Sequence, residues 1–224
     1  MKKSKALLLA LCAAALSVGV TFGTLAYLTD TEAVTNTFTV GQVHISLDEL
    51  DVDKETDTNP NDITDDETKG TDKQRDKANI YHLIPGQEYT KDPIVHVRAD
   101  SESSWVFVKV ENGISEIEAA SVKDGYQNIT DQIAANGWTK LEGITGVTNV
   151  YYQMWDKEED KNDRDLEVFQ NFKIAGDGVD NDDIDDYAEK EIKVTAYAIQ
   201  AAGFENNVSG AWAAFVDQNA DLFR

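Results

Sequence analysis

The residues best suited to chemistry in this 224-residue chain are three histidines and several dense runs of aspartate. His44, His82 and His96 are isolated from one another, and no His-Glu-x-x-His pair occurs. Zinc hydrolysis needs two or three converging ligands and a base, commonly with two ligands on one helical turn. His44 and His96 fall in predicted strands and could meet only across a sheet, so surface or sheet-edge histidines are the plainer reading. The single cysteine, Cys12, lies in an apolar leader, and neither a Gly-x-Ser-x-Gly elbow nor a phosphate loop is present. The composition therefore points away from an enzyme, with no catalytic residue to assign.

Residues 177–186 offer oxygen ligands of the kind a hard cation takes: Asp177, Asp180, Asp182, Asp183 and Asp185. The spacing departs from an EF-hand, since Val179 occupies a ligand position, glycine is missing at position six and Ala188 stands at position twelve. A solvated acidic loop is the plainer reading. Calcium is the one cofactor the pattern admits; otherwise none is expected.

Positioning begins with the leader. Lys2, Lys3 and Lys5 precede an uncharged apolar run over 6–20, and Gly19, Gly23, Thr24 and Ala26 follow before the first acid, Asp30. This is the anatomy of a cleavable secretory signal over 1–26, cut between Ala26 and Tyr27. An uncleaved anchor extended to Leu28 is the alternative, disfavoured by the Gly, Thr and Ala content of its second half. A lipoprotein cut at Cys12 is disfavoured by the bulky Leu11 before it. The chain carries 20 Lys+Arg against 42 Asp+Glu, and losing three lysines with the leader takes its net charge from −22 to −25. Such a surface repels nucleic acid and anionic lipid, so neither is expected as a partner beyond a transient membrane association before cleavage. An exported domain without disulfides relies on its core, on partners or on ions.

Residues 27–224 read as one secreted domain. Alternation over 37–47 changes parity at Gly41, which predicts a β-bulge or two short strands. Apolar content collapses over about 48–79, predicting a long acidic loop, and two more such loops are expected at 156–165 and 177–186. Strands are predicted at 94–99, 105–111, 147–155 and 192–199. In the second of these, Val106, Val108 and Val110 oppose Trp105, Phe107 and Lys109, so both faces should be covered. Helical spacing appears around Ile117–Ala120–Ser121, in 130–135 before an Asn136-Gly137 stop, and after Gly203. Pro85-Gly86 predicts a turn. Together these give a mainly β fold, an antiparallel jelly-roll-like β-sandwich with short peripheral helices.

The stretch Gly23-Thr-Leu-Ala-Tyr-Leu-Thr-Asp-Thr-Glu-Ala-Val-Thr-Asn-Thr-Phe-Thr-Val-Gly41, followed by Val43-His-Ile-Ser-Leu47, resembles the TasA/camelysin family of Gram-positive bacteria. Leu83-Ile-Pro-Gly-Gln87 with Pro93, Trp105-Val-Phe-Val-Lys109, and Ala196-Tyr-Ala-Ile-Gln-Ala-Ala202 with Trp212 are also similar. The resemblance implies a signal processed by a dedicated signal peptidase, a jelly-roll core and a secreted structural role in extracellular fibres of a biofilm matrix or cell surface. It also implies that the freed N-terminus, with Tyr27, Leu28, Val34 and Phe38, adds as a strand to another copy or to a related fibre subunit. The family carries a metallopeptidase association, so a camelysin-like secreted metallopeptidase is the alternative, and a calcium-binding surface adhesin a further one.

Overall fold

The computed structural model describes residues 42–52, 75–76, 79–122, 125–159, 161–187 and 189–223. The cleavage site, the segment with Tyr27, Leu28, Val34 and Phe38, and the Gly41 bulge lie outside the described residues. No helix among the described residues is long and apolar enough to cross a membrane.

Two four-stranded antiparallel sheets carry the fold. The first has the order β2-β1-β4-β8, with β1 at Ile45–Leu50, β2 at Arg75–Asp76, β4 at Ile94–Val97 and β8 at Arg164–Glu167. The second has the order β10-β5-β7-β6, with β5 at Ser104–Asn112, β6 at Thr139–Lys140, β7 at Val150–Trp155 and β10 at Ile192–Gln200. A separate pair, β3 (Glu88–Thr90) with β9 (Asn171–Lys173), joins residues on either side of Pro93 and Val168. All of these ladders are antiparallel.

β5 holds the two layers together. Val106, Val108 and Val110 face a core shared with Val95 and Val97 of β4, Leu166 of β8 and Ile129 and Ile133 of α1 (Ile129–Ala135). Phe107, on the opposite face, meets a second core under α3 (Val208–Gln218). Its ring centroid lies 5.1 Å from that of Trp212, which also contacts Tyr197 of β10 at 5.8 Å. The predicted double burial of β5 thus holds, and a helix covers the face away from the first sheet. Asn207 caps α3 by accepting from the Gly210 N–H, and a Cβ at Gly210 would fall 2.3 Å from the Asn207 side chain.

Several boundaries differ from the sequence reading. β1 runs on to Leu50, so Asp48 and Glu49 belong to a strand and are buried rather than opening the acidic loop. Ionic partners described below make that burial tolerable. Residues 113–117 form turns, Glu118 a bridge, and 119–122 no regular element, where the helical spacing of Ile117, Ala120 and Ser121 suggests a helix. Glu118 bridges to Ile174, and its carboxylate accepts from Asn112, Tyr126 and the Ile129 N–H. The 130–135 helix is present with Asn136 at its C-cap, and Gly137 (φ 85°) and Gly86 (φ 76°) take the left-handed turns expected of them.

Trp212→Ala should remove the cover over Phe107 and destabilise the domain by about 3–5 kcal/mol. Urea unfolding followed by tryptophan fluorescence and circular dichroism measures this. A loss below about 1 kcal/mol would mean that α3 is not part of the cooperative unit.

Candidate functional site: an open seam beside a buried charge cluster

Side chains and backbone converge where β1 faces β10. In an antiparallel ladder, alternate residues turn their N–H and C=O groups to opposite sides. The Arg98 N–H donates to the His44 carbonyl at 3.1 Å, so even positions of β1 face β4 and the odd ones, Ile45 and Leu47, face away from it. The Gly113 N–H donates to the Glu191 carbonyl at 2.9 Å, so odd positions of β10 face β5. Ile192, Val194, Ala196, Ala198 and Gln200 therefore turn their backbone groups outward. Among the described residues, no strand pairs with this outer edge of β10, and β1 takes an outer partner only at Glu49 and Leu50, from β2.

β1 and β10 approach within 8 Å between Cα atoms without forming a ladder. Paired strands sit about 4.8 Å apart, so a strand hydrogen-bonded to both would need about 10 Å between them, more than β1 and β10 leave where they approach. A groove of about 1240 Å³ opens along the seam, lined by the apolar Leu47, Leu83, Ile114, Phe172, Ile192 and Val194 and by charged residues that include Asp48, Glu49, Lys91, Glu191 and Lys193. The 79–84 segment forms one wall, where Ile80 is 75% and Ile84 49% exposed. Phe172, buried at the base, stacks on Tyr89 at 5.1 Å and meets Tyr81 edge-on at 5.2 Å. Exposed aliphatic side chains beside unpaired strand edges are what an added strand covers.

The charge cluster lies at the end of β1 toward β2. Arg75 is buried and donates through Nε to Asp48 Oδ1 at 2.7 Å and through Nη1 to Asp92 Oδ2 at 2.8 Å. Its Nη2 reaches the carbonyls of the same two residues at 3.2 Å. Lys91 pairs with buried Glu49, and the Asn79 amide donates to Glu49 Oε1 and the Leu50 carbonyl while accepting from the Val52 N–H. His96 bridges Asp48 Oδ2 at 2.9 Å and Asp165 Oδ1 at 2.6 Å.

These contacts set the protonation states. Burial pushes the Asp48 carboxyl up, but the hydrogen bonds and charges of His96 and Arg75 outweigh it and hold it below its ordinary 3.8. The hydrogen bond to Asp48 is the largest influence on His96; burial opposes it, Asp165 adds to it, and the imidazole is held above its ordinary 6.5. Of the other histidines, His44 lies 3.3 Å from Asp100 and His82 sits in the 79–84 segment. From the sequence alone His96 reads as an isolated sheet-edge residue. Its partners are 48 and 69 residues away in sequence, a distance at which no local motif could reveal them.

The calcium candidates fall around a short helix, α2 (Asn181–Asp185). Asp180 is its N-cap, accepting from the Asp182 and Asp183 N–H groups, and the Asp183 carboxylate accepts from the Asp180 N–H in return. Asp177, Asp182 and Asp185 are exposed. Among the described residues, no group of three or more His, Cys, Asp or Glu side chains is arranged to hold a metal ion.

Residues 2–73 match the family model described as camelysin metallo-endopeptidase. The match spans the N-terminal residues that carry the TasA/camelysin resemblance, which holds over that third of the chain; the similar motifs at 83–93, 105–109 and 196–212 lie outside it. Comparison with curated proteins and with solved structures found no match. A metallo-endopeptidase centre calls for converging ligands and an open coordination position. Both His96 nitrogens are taken by carboxylates, His44 contacts a different aspartate, and His82 stands on a separate segment. The described residues do not fit such a centre, and no hydrolytic step follows from them.

The His96–Asp48 pair should impose a pH-dependent stability. A raised histidine pKa contributes fully below about pH 6.5 and is lost as pH rises through the higher folded value. A lowered Asp48 pKa contributes above about pH 4 and is lost as pH falls through the folded value. His96→Gln should therefore lower the urea midpoint most near pH 5.5, and the deficit should shrink toward pH 9. A deficit that grows with pH would contradict the bridge.

Proposed function

We propose that this chain, which carries the TasA/camelysin match in its N-terminal third, is a secreted structural protein that forms or joins extracellular fibres by strand addition. The observation that carries this reading is the seam. The outer edge of β10 lacks a strand partner among the described residues, and its first residues border a groove that combines exposed aliphatic side chains with charged ones. Natural sheets normally protect such edges with charge, bulges or a covering element. An edge left open beside aliphatic side chains is suited to accept backbone hydrogen bonds from another chain, with its side chains filling the groove.

The donor is the segment with Tyr27, Leu28, Val34 and Phe38, freed by the cut between Ala26 and Tyr27. Leu28, Val34, Phe38 and Val40 share one parity, while the other is rich in threonine. Asp30, Glu32 and Asn36 interrupt that apolar parity, and the threonine-rich alternation nearest to strand-like is over 34–40. Its partner is another copy of the chain or a related fibre subunit. Antiparallel sheets sharing one core agree with the jelly-roll-like sandwich the family implies. Placement outside the cell, in a matrix or at the surface, follows from the signal-like leader and the family. Before the signal peptidase acts, the donor remains joined to the leader, so the same cut would control export and assembly.

A peptidase activity is the second reading, favoured by the family's description. Both readings meet one experiment. Purified 27–224 and a form beginning at residue 38 are incubated over a range of salt and pH and imaged by electron microscopy. Filaments from the first and none from the second are the expected outcome; monomers from both would overturn the strand-addition reading. Chelator-sensitive cleavage of casein by either form would establish the peptidase instead.

A further inference from the structure

The geometry points to a covalent cross-link that the chain forms within itself: an amide between Lys91 Nζ and Asn79 Cγ, with Glu49 as the catalytic residue. The cross-link needs neither a second copy nor the N-terminal segment, so its test is separate from that of strand addition. Three side chains from three segments meet at one carboxylate. Glu49 of β1 holds Lys91 Nζ on Oε2 at 2.5 Å and Asn79 Nδ2 on Oε1 at 2.8 Å. A nucleophile, an electrophile and a group able to move protons between them are thus assembled in one place.

The surroundings suit that reaction. The Asn79 amide is fixed in orientation: its Oδ1 accepts from the Val52 N–H at 2.8 Å, and its Nδ2 donates to the Leu50 carbonyl at 2.9 Å as well as to Glu49. The Val52 N–H polarises the amide carbonyl and stands where negative charge develops on Oδ1 in a tetrahedral intermediate. Hydrogen bonds at an amide's oxygen and nitrogen leave the faces of its carbon for a nucleophile. The Lys91 and Glu49 side chains are only 10% and 6% exposed, and Nζ lies 6.0 Å from the centroid of the Tyr81 ring. Burial of this kind suppresses competing hydrolysis of the amide. Holding amine and amide on one carboxylate also replaces the very high concentration that the same reaction needs between separate molecules.

Atoms and charge balance in the step. A proton passes along the Lys91–Glu49 hydrogen bond, leaving a free amine and a carboxylic acid. The Nζ lone pair then forms the bond to Cγ. With both nitrogens on Cγ, the Glu49 carboxyl carries a second Nζ proton to Nδ2, the Cγ–Nδ2 bond breaks, and ammonia leaves. The products are one secondary amide, one ammonia and Glu49 as the neutral acid. A buried ion pair, costly to keep out of water, is exchanged for uncharged groups. The bond closes a ring from residue 79 to residue 91 that takes in the 79–84 wall of the groove, the Pro85-Gly86 turn and β3. A chain with no cysteine after its leader thereby gains a covalent tie that needs no oxidant.

Mass spectrometry of the purified, folded chain reads the bond. The chain should be lighter than its sequence requires by one ammonia, about 17 Da. Trypsin does not cut after an acylated lysine, and the next basic residue is Arg98. The digest should therefore hold residues 78–98 as one peptide carrying that loss, without fragment ions from backbone breaks between 79 and 91. Glu49→Gln, which cannot take the proton, and Lys91→Arg should each restore the full mass and the cut after residue 91. A folded chain of full mass, cut normally after Lys91, would overturn the cross-link and leave an ion pair. The same loss on a peptide ending at Lys91 would mean that Asn79 had closed on its own backbone, and would overturn it too. Loss retained in Glu49→Gln would overturn the role given to Glu49. If the variants fail to fold, the mass and digest of the unsubstituted chain still decide.

Discussion

A strand whose two faces are both apolar requires a layer on each side, and β5 imposes that requirement on the rest of the chain. Val106, Val108 and Val110 need a facing sheet, which β4 and β8 provide; Phe107 needs a cover, which α3 provides through Trp212. Without a disulfide outside the leader, these two cores are the principal source of cohesion. The nine-residue ladder to β10 satisfies one edge of β5, and β7 the other. β10 is thereby left at the margin of its sheet, its inward side chains committed to the core and its outward backbone groups to whatever lies beyond. The seam follows from how β5 is buried.

The second constraint is electrostatic. Asp48 and Glu49 are taken out of water in a protein with an excess of acid, where a further buried carboxylate is costly unless matched. The chain assigns to them Arg75, Lys91 and His96, three of its few cations. That expenditure is concentrated at the end of β1 where Asp48, Glu49 and Lys91 also line the groove.

The alternating strands β5, β7 and β10 were legible in the sequence because burial on at least one face writes a period of two into it. The Asn136-Gly137 stop revealed α1 for an equally local reason. The charge cluster was not legible: Asp48 and Glu49 look like the first residues of an acidic loop, and their partners arrive 27 to 48 residues later. β2 has two residues and no period to detect. The helical spacing at 117–121 misled because three positions are too few to distinguish a helix from a turn anchored by one carboxylate, that of Glu118. The seam lay beyond sequence reasoning for a different reason. An edge is open or closed according to which strands pair, and pairing is a property of topology rather than of any residue.

On the proposed reading, donor and acceptor are different surfaces of the same chain. Such a contact is heterologous, and repeating it gives an open filament unless the rotation between subunits happens to close a ring. It also means that no subunit can satisfy its seam with the surface that fills its neighbour's, so one acceptor remains vacant at the growing end. A vacant edge flanked by Ile80 and Ile84 is a hazard for indiscriminate pairing. The high negative charge of the surrounding surface counters it by repelling other copies until a donor of matching pattern arrives. The acidic loops would then serve assembly by making the added strand the favourable approach among many disfavoured ones.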